Sequence, residues 1–522
     1  MANKNILLLE PAYRNKYPPL GLMKLAQYHG KNGKNDNVVF VKGEDKKAVE
    51  GIAWDRVYVT TLFTFEWGRI KKTIEYALKI VNHQADKIFV GGIAASLIND
   101  KFYEVPEWSG IRFIKGLLDK PPAESLLLDS FYEELYSEDI HGEPIENLTP
   151  DYSILDQVEY DYPVHDAYFL YASRGCIRSC TFCGVPKLEG PQRDTGSLTK
   201  QVNNIISLYG EKKDLTLMDN NIVASAKFKD IIDQIVDLGF QKDATLLRNG
   251  HRFKRRVDFN QGVDARILCK DPSFLKQISR VNIKPLRIAF DHIGLKKQYV
   301  KSIRYAHEFG IVDLSNYMLY NFHDTPEDLY SRLRINIELN QELGIRIFSF
   351  PMRYQPIFLQ DRSHIGENWN KYSLRSFQLI LQATHGIVSG APSYFNKAFG
   401  ADKDDFHELL NRPHHYIFNR EWYDQYGGKA ELETFKRKYT RLTTNDQNEL
   451  LEILSTTDRN ALGRLKGISS PKMRDIISHY IPPSGDDEKI IWEESKKLRL
   501  KKKAEEIQVP VDELIEDSGL DE

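Results

Sequence analysis

Cysteine is scarce in this 522-residue chain: only Cys176, Cys180, Cys183 and Cys269. Four cysteines, one of them isolated, exclude the disulfide framework of a small secreted protein, and a reducing, cytoplasmic compartment is expected. An excess of one charge sign is also missing. Lys and Arg number 72 against 74 Asp and Glu, so the net charge of −2 selects no partner by a global field. Long apolar runs are few. The first ends at Glu10, too early for a signal peptide. The uncharged stretch 376–396 has bilayer length, but Gln378, Gln382, His385, two glycines and a proline argue for a buried helix ending near Gly386. No membrane partner is expected, and no internal repeat is visible.

What is present describes a globular protein of two to four domains, with 41% hydrophobic and 28% charged residues. "NILLLEP", "NVVFV", "DRVYVTT" and "DKIFVGG" read as strands alternating with amphipathic helices, the signature of a doubly wound (Rossmann/flavodoxin-like) parallel sheet. After an aperiodic, proline-bearing segment, a second alternating series starts at "DAYFLYASRGC". It continues through "DLTLMDNN", "RVDFNQGVDAR", "PLRIAFDHI", "SNYMLYNFHD" and "RIFSFPMRY". Six βα units are too few for a closed barrel and right for a partial (β/α)6 TIM-type barrel. The fold class is therefore α/β with a helical C-terminal region. Its expected parts are a sheet domain (1–135), a linker (136–165), the partial barrel (166–360), a helical extension (361–445) and a charged helical end (446–522).

Three of the four cysteines fall within eight positions, directly after the first barrel strand. Thiolates spaced C-x-x-x-C-x-x-C can reach three corners of a cubane and leave the fourth iron open. The alternatives are a zinc site completed by Cys269 or a histidine, and a chance grouping. Cys269 itself reads most simply as a buried core thiol.

With an aromatic residue before the third cysteine (Phe182) and this spacing after a first barrel strand, the sequence resembles the radical S-adenosylmethionine (SAM) superfamily. It is most similar to the branch with an N-terminal cobalamin-binding-type domain, through "NILLLEPAYRNKYPPLGLMKLAQY", "DKIFVGG" and "LTPDYSIL". The resemblance spans roughly residues 5–357. It implies a [4Fe–4S] cluster on Cys176, Cys180 and Cys183 whose open iron binds SAM, reductive cleavage to a 5′-deoxyadenosyl radical, and a flavodoxin- or ferredoxin-type electron donor. It also implies cofactor-binding roles at strand ends. Asp219, or its alternatives Asn220 and Asn221, would accept from the SAM ammonium. Arg266 would pair with the carboxylate, Asp291 with the ribose, and the backbone near Phe182 and Met352 would line the adenine. Gln261 lies in the matching third-strand segment. The plain alternatives are that the Asp and Asn residues shape turns and that Arg266 forms a surface ion pair.

The sequence departs from that branch in lacking an Asp-x-His-x-x-Gly motif. His29 and His83 are expected on helices facing solvent, and His323 as a structural histidine, so cobalamin is not favoured. Catalytic residues and substrate, small molecule or macromolecule, stay unassigned. The alternative within enzymes is a cobalamin-dependent radical methyltransferase. Outside enzymes, it is a nucleic-acid-binding or scaffold protein that keeps a cluster. The basic segments "RNGHRFKRR", "FKRKYTR" and "KKLRLKKK" point to nucleic acid, as does a helix–hairpin–helix-like stretch with Leu465, Gly467, Ile468, Ile476 and Ile477 in which Ser469 replaces the second glycine.

Overall fold

Residues 3–119, 143–384, 386, 388, 390–456 and 470–507 are described by a computed structural model. The expected hairpin at Leu465, Gly467, Ile468 and Ser469 and the start of the linker (136–142) lie outside the described residues.

The first five strands are β1 (Asn5–Glu10), β2 (Asn37–Lys42), β3 (Arg56–Thr61), β4 (Ile88–Gly92) and β5 (Arg112–Phe113). They form one parallel sheet in the order β2-β1-β3-β4-β5, the doubly wound arrangement expected from the sequence. Ile6 to Leu9 are 0% exposed because β1 is central and helices cover both faces, which is why this strand reads as an unbroken apolar run. The strand order reverses between β1 and β3, and in such sheets ligands bind outside the carboxyl ends at that point. One core is built on this sheet from Leu7, Leu9, Val57, Val59, Val90, Ile70 and Ile74, the last two from the helix Trp67–Ile80.

That helix stops earlier than its periodicity predicts, since Asn82 and His83 take left-handed φ of 51° and 60°. His83 is exposed in the turn rather than on the helix. The expectation for His29 is corrected. It closes the helix Leu20–His29 but is 0% exposed, its Nδ1 2.8 Å from Asp36 and its Nε2 2.9 Å from the Tyr58 hydroxyl. Burial depresses its pKa.

The second series contains β6 (Ala167–Leu170), the short pair β7 (Ser173–Arg174) and β8 (Arg193–Asp194), and β9 (Asp214–Leu217). It continues with β10 (Thr245–Arg248), β11 (His251–Lys254), β12 (Val257–Phe259), β13 (Leu286–Arg287), β14 (Asp313–Tyr320) and β15 (Arg346–Arg353). Strands β6, β9 and β12 pair in parallel, parallel bridges Val257–Ile283 and Val263–Ile288 lead on toward β13, and β13-β14-β15 complete the order. Six strands in chain order with helical crossovers are the topology of a partial (β/α)6 barrel. The antiparallel hairpin β10–β11 was read in the sequence only as a basic cluster. Its signal was Asn249-Gly250, whose φ of 52° and 79° suit a tight primed turn.

Two compact units divide the chain. The first comprises Met1–Ala289, Lys297–Asn316 and Tyr354–His364, and the second Phe290–Lys296, Tyr317–Arg353 and Ile365–Glu522. The second unit is mostly helical, with a core from Tyr372, Tyr416, Tyr423, Phe435, Ile476 and Ile477. Among the described residues no helix is long and apolar enough to cross a membrane.

Candidate functional site

Strand β6 is fully buried and delivers the chain to a loop, 175–192, closed at its neck by the antiparallel pair β7–β8. The three cysteines ride on this loop, half-buried, and none of the four cysteines is in a disulfide. Gly175 makes the turn into the loop at φ +76°. A Cβ there would lie 2.3 Å from the Pro191 carbonyl oxygen, so no side chain fits. The Cys176 N–H donates to the Gly190 carbonyl at 3.3 Å and the Cys183 N–H to the Cys180 carbonyl at 3.0 Å. Backbone N–H groups of Arg178 and Val185 point at the sulfurs of Cys176 (3.4 Å) and Cys183 (3.5 Å). Such donors favour thiolate and tune a bound cluster.

Among the described residues no three His, Cys, Asp or Glu side chains converge as ligands of a single ion. A tetrahedral zinc site needs sulfurs roughly 3.8 Å apart, given Zn–S of about 2.3 Å. A cubane instead places each thiolate on a separate iron. The donor set, three thiols on one short loop with N–H groups turned to two sulfurs, fits an iron–sulfur cluster. Cys269 is 8% exposed and its Sγ donates to the Arg266 carbonyl at 3.5 Å, as a core thiol does.

Of the polar residues singled out in the sequence, Asp219 and Asn220 hold this loop in place. Asp219, at the end of β9, is 2% exposed. Its carboxylate accepts from the Ala172 N–H (3.0 Å), the Ser173 hydroxyl (2.7 Å) and the Ser173 N–H. Burial pushes its pKa up to about 6 despite these donors. Asn220 donates to Glu189 at 3.0 Å and to the Gly175 carbonyl at 3.4 Å. Asn221 is buried and accepts from the Asp264 N–H at 3.3 Å. Gln261 sits exposed in the turn after β12, a strand shorter than its sequence signal because Gly262 turns at φ +82°. Arg266 lies on the helix Ala265–Leu268, with its Nε 2.8 Å from Asp264. Phe182 is half-buried on the loop. Asp291 and Met352 belong to the second unit. The Asp291 carbonyl accepts from Arg332 at 3.1 Å, and Met352 is 49% exposed.

Two acids of this site were missed in the sequence. Asp264 caps the helix Ala265–Leu268 and joins Arg266 to Arg178, whose Nε reaches its other oxygen at 2.8 Å from between the first two cysteines. Burial raises its pKa, but the hydrogen bonds from Arg266 and Arg178 outweigh that and hold it low. Glu189 accepts from the Gly175 N–H at 2.8 Å and from Arg174 at 3.0 Å. Nothing local marks Glu189, and the local sign of Asp264 is its capping position alone, since its bond to Arg178 spans 86 residues.

Behind the loop, a cavity of about 210 Å³ opens at the carboxyl ends of β3 and β4. Its walls include Leu22, Thr60, Phe89, Gly91, Ile114 and Leu188, and its polar corner is Lys24, Glu146, Arg174 and Glu189. Lys24 contacts Glu146 at 2.8 Å, Arg174 joins Glu146 to Glu189, and the Arg174 guanidinium lies 3.4 Å from the Tyr171 ring centroid. Against the burial that raises it, the two cations hold the Glu146 pKa at about 2. The helix Ile93–Leu97 packs on Val185–Leu188 beside Cys183, where a Cβ on Gly184 would come within 2.9 Å of Leu97.

No family model and no curated protein matches the chain. Among solved structures it is similar to the radical S-adenosylmethionine methyltransferase TsrM from Kitasatospora setae, with cobalamin and a [4Fe–4S] cluster bound. That likeness has a TM-score of 0.46 and 14% identity over 69% of this chain and 78% of the other. It is also similar to the cobalamin-dependent S-adenosylmethionine radical enzyme OxsB, with aqua-cobalamin and S-adenosylmethionine bound (TM-score 0.45, 15% identity, 97% and 80%).

Proposed function

We propose that the chain is a radical SAM enzyme, with Cys176, Cys180 and Cys183 holding a [4Fe–4S] cluster and SAM bound at the open iron. One observation supports this above the others: a three-thiol loop built at the carboxyl end of the first strand of a partial barrel, where such folds keep their chemistry. When bound, the cluster supplies the electron that cleaves SAM, so a flavodoxin- or ferredoxin-type donor is required. The chain's own residues do the rest. Asp219, Asn220 and Glu189 fix the loop, and Arg178 and Arg266, each about one-third exposed, present charge beside it. In this reading Arg266 leaves Asp264 to pair with the SAM carboxylate, and Asp219 acts on the loop and not on SAM. A cluster held by thiolates requires a reducing compartment, so the cytoplasm is the compartment that goes with this reading.

The test is iron and sulfide analysis of anaerobically purified protein, with 5′-deoxyadenosine release after reduction. Four irons per chain, lost in Cys180→Ser and kept in Cys269→Ser, are expected. Zinc without iron after reconstitution would overturn the proposal.

A second reading rests on the cavity. It lies at the carboxyl ends of β3 and β4, the end at which doubly wound sheets take their ligands, and this supports a cobalamin-dependent methyltransferase as the alternative. No histidine lines it, so a bound cobalt would receive no imidazole from this wall. Stoichiometric retention of hydroxocobalamin through gel filtration, with S-adenosylhomocysteine formed on turnover, would establish this reading. Passage without retention leaves the first.

A further inference from the structure

The connection from the helix Phe228–Ile235 to β12 carries a β-ribbon where a barrel needs only a loop. Between Lys242 and Arg256 it holds six basic residues and one acid, in a chain whose net charge is −2. Two of the six are occupied. Arg248 pairs with Asp166 at 2.7 Å, and the buried Arg255 pairs with Glu211 at 3.0 Å. Lys242, Arg252, Lys254 and Arg256 form no salt bridge among the described residues. Asp214 faces Arg256, accepting its N–H at 2.9 Å, but shares its charge with Lys213.

The hairpin register puts Thr245, Leu247, Arg252 and Lys254 on one face, and all four are exposed. Phe253 on the opposite face is 44% exposed with His251 against its edge. Beside the ribbon, a cavity of about 190 Å³ is lined by Lys242, Lys254, Arg256 and Lys284, with Asp243 and Asp313 as its acids. Lys284 already pairs with Asp313 at 2.8 Å. The cavity therefore presents unpaired cations and hydrogen-bond donors suited to a phosphate.

We infer that this ribbon and the cavity beside it bind a single-stranded nucleic acid, with phosphates on Arg252, Lys254, Lys242 and Arg256 and a base stacked on Phe253. Among the described residues strand β11 pairs only with β10, and along its other edge a polymer with regular charges and π-faces can meet the cations of one face and the Phe253 ring of the other. A solvated face kept only for solubility would carry both signs, whereas the exposed hairpin face of Thr245, Leu247, Arg252 and Lys254 carries cations alone and the acids lie in the cavity beside it. The surface anchors the polymer and does not present the reacting group. Arg248 ties the ribbon to Asp166, just before β6, while the cysteine loop follows the other end of that strand, about 13 Å away by strand rise. The inference is independent of the cluster chemistry.

The test uses the full-length protein and fluorescently labelled single-stranded RNA and DNA of about 20 nucleotides. Four neutralised phosphates predict that raising salt from about 50 to about 200 mM weakens binding about fifty-fold. Arg252→Glu with Lys254→Glu should lower affinity at least about tenfold, and Phe253→Ala several-fold, while Lys72→Glu on the far sheet domain leaves it unchanged. Thermal melting checks that the variants fold, their side chains being exposed. The inference is overturned by no binding at the lower salt, by equal binding of the double variant, or by equal competition from polyglutamate, which would assign the ribbon to an acidic protein.

Discussion

Gly175 and Asp219 carry the geometry of the cysteine loop, and each gives a prediction. Gly175→Ala combines a left-handed φ with a backbone clash, so it should cost about 1–3 kcal/mol and reduce iron retention more than it lowers the melting temperature. Iron content per folded chain measures this. Asp219→Asn turns an amide N–H toward backbone donors and should cost about 1.5–3 kcal/mol. Its pH signature is separate. The folded pKa of about 6 lies above the ordinary 3.8, so the folded state binds more protons than the unfolded state in between. This carboxyl therefore lowers stability as pH rises through that window, and Asp219→Asn removes that component. Urea denaturation of both proteins at pH 4.5 and 7, bracketing most of the window, would show it. A slope identical in the two proteins would refute the assignment. The sequence marked Asp219 by its strand-end position, but position cannot tell whether a carboxylate turns outward to a ligand or inward to its own backbone.

The helix Pro326–Leu343 shows what an element's sequence does and does not disclose. Its ends were readable: Thr325 caps the Asp328 N–H at 3.2 Å, Pro326 starts it, and Gly344 ends it at φ +63°. Its interior was not. Arg332 is 0% exposed and donates to the carbonyls of Phe290, Asp291 and Leu319 and to Asp324 at 2.9 Å, gathering the segments at the ends of β13 and β14. An arginine in a charged helix reads as solvated, and only the fold brings those carbonyls to it. Arg332→Leu should destabilise by about 3–5 kcal/mol, because it strands Asp324 in the interior. Arg334→Leu, two positions on and partly exposed, should stay within about 1 kcal/mol. Equal melting temperatures for the two variants would refute the comparison. The same logic explains the other gaps. The doubly wound class and the partial barrel followed from alternating apolar runs, whereas Glu146 and Glu189, the Arg178 contact of Asp264 and the Tyr58 contact of buried His29 depend on residues farther off in the chain.

At the scale of the molecule, the N-terminal sheet and the start of the barrel share one compact unit, and Lys24, Glu146, Arg174 and Glu189 bind them together. Lys24→Met leaves Glu146 with one cation instead of two and should cost about 3 kcal/mol, with a matching fall in iron retention although no cysteine is touched. Denaturation midpoint and iron content of the same preparation test this, and a normal iron content in the destabilised protein would uncouple the two. The residues that back the loop (Lys24, Leu97 and Glu146) all precede Cys176 in the chain. Translation extends a chain at about 5–20 residues per second and domains fold from the N-terminus, so on the order of ten seconds separate the synthesis of Leu97 from that of Cys183. The sheet can close its core before the last cysteine leaves the ribosome. The nascent thiols then emerge beside a finished wall, and on the proposed reading the metal would be delivered to a chain whose N-terminal sheet is already folded.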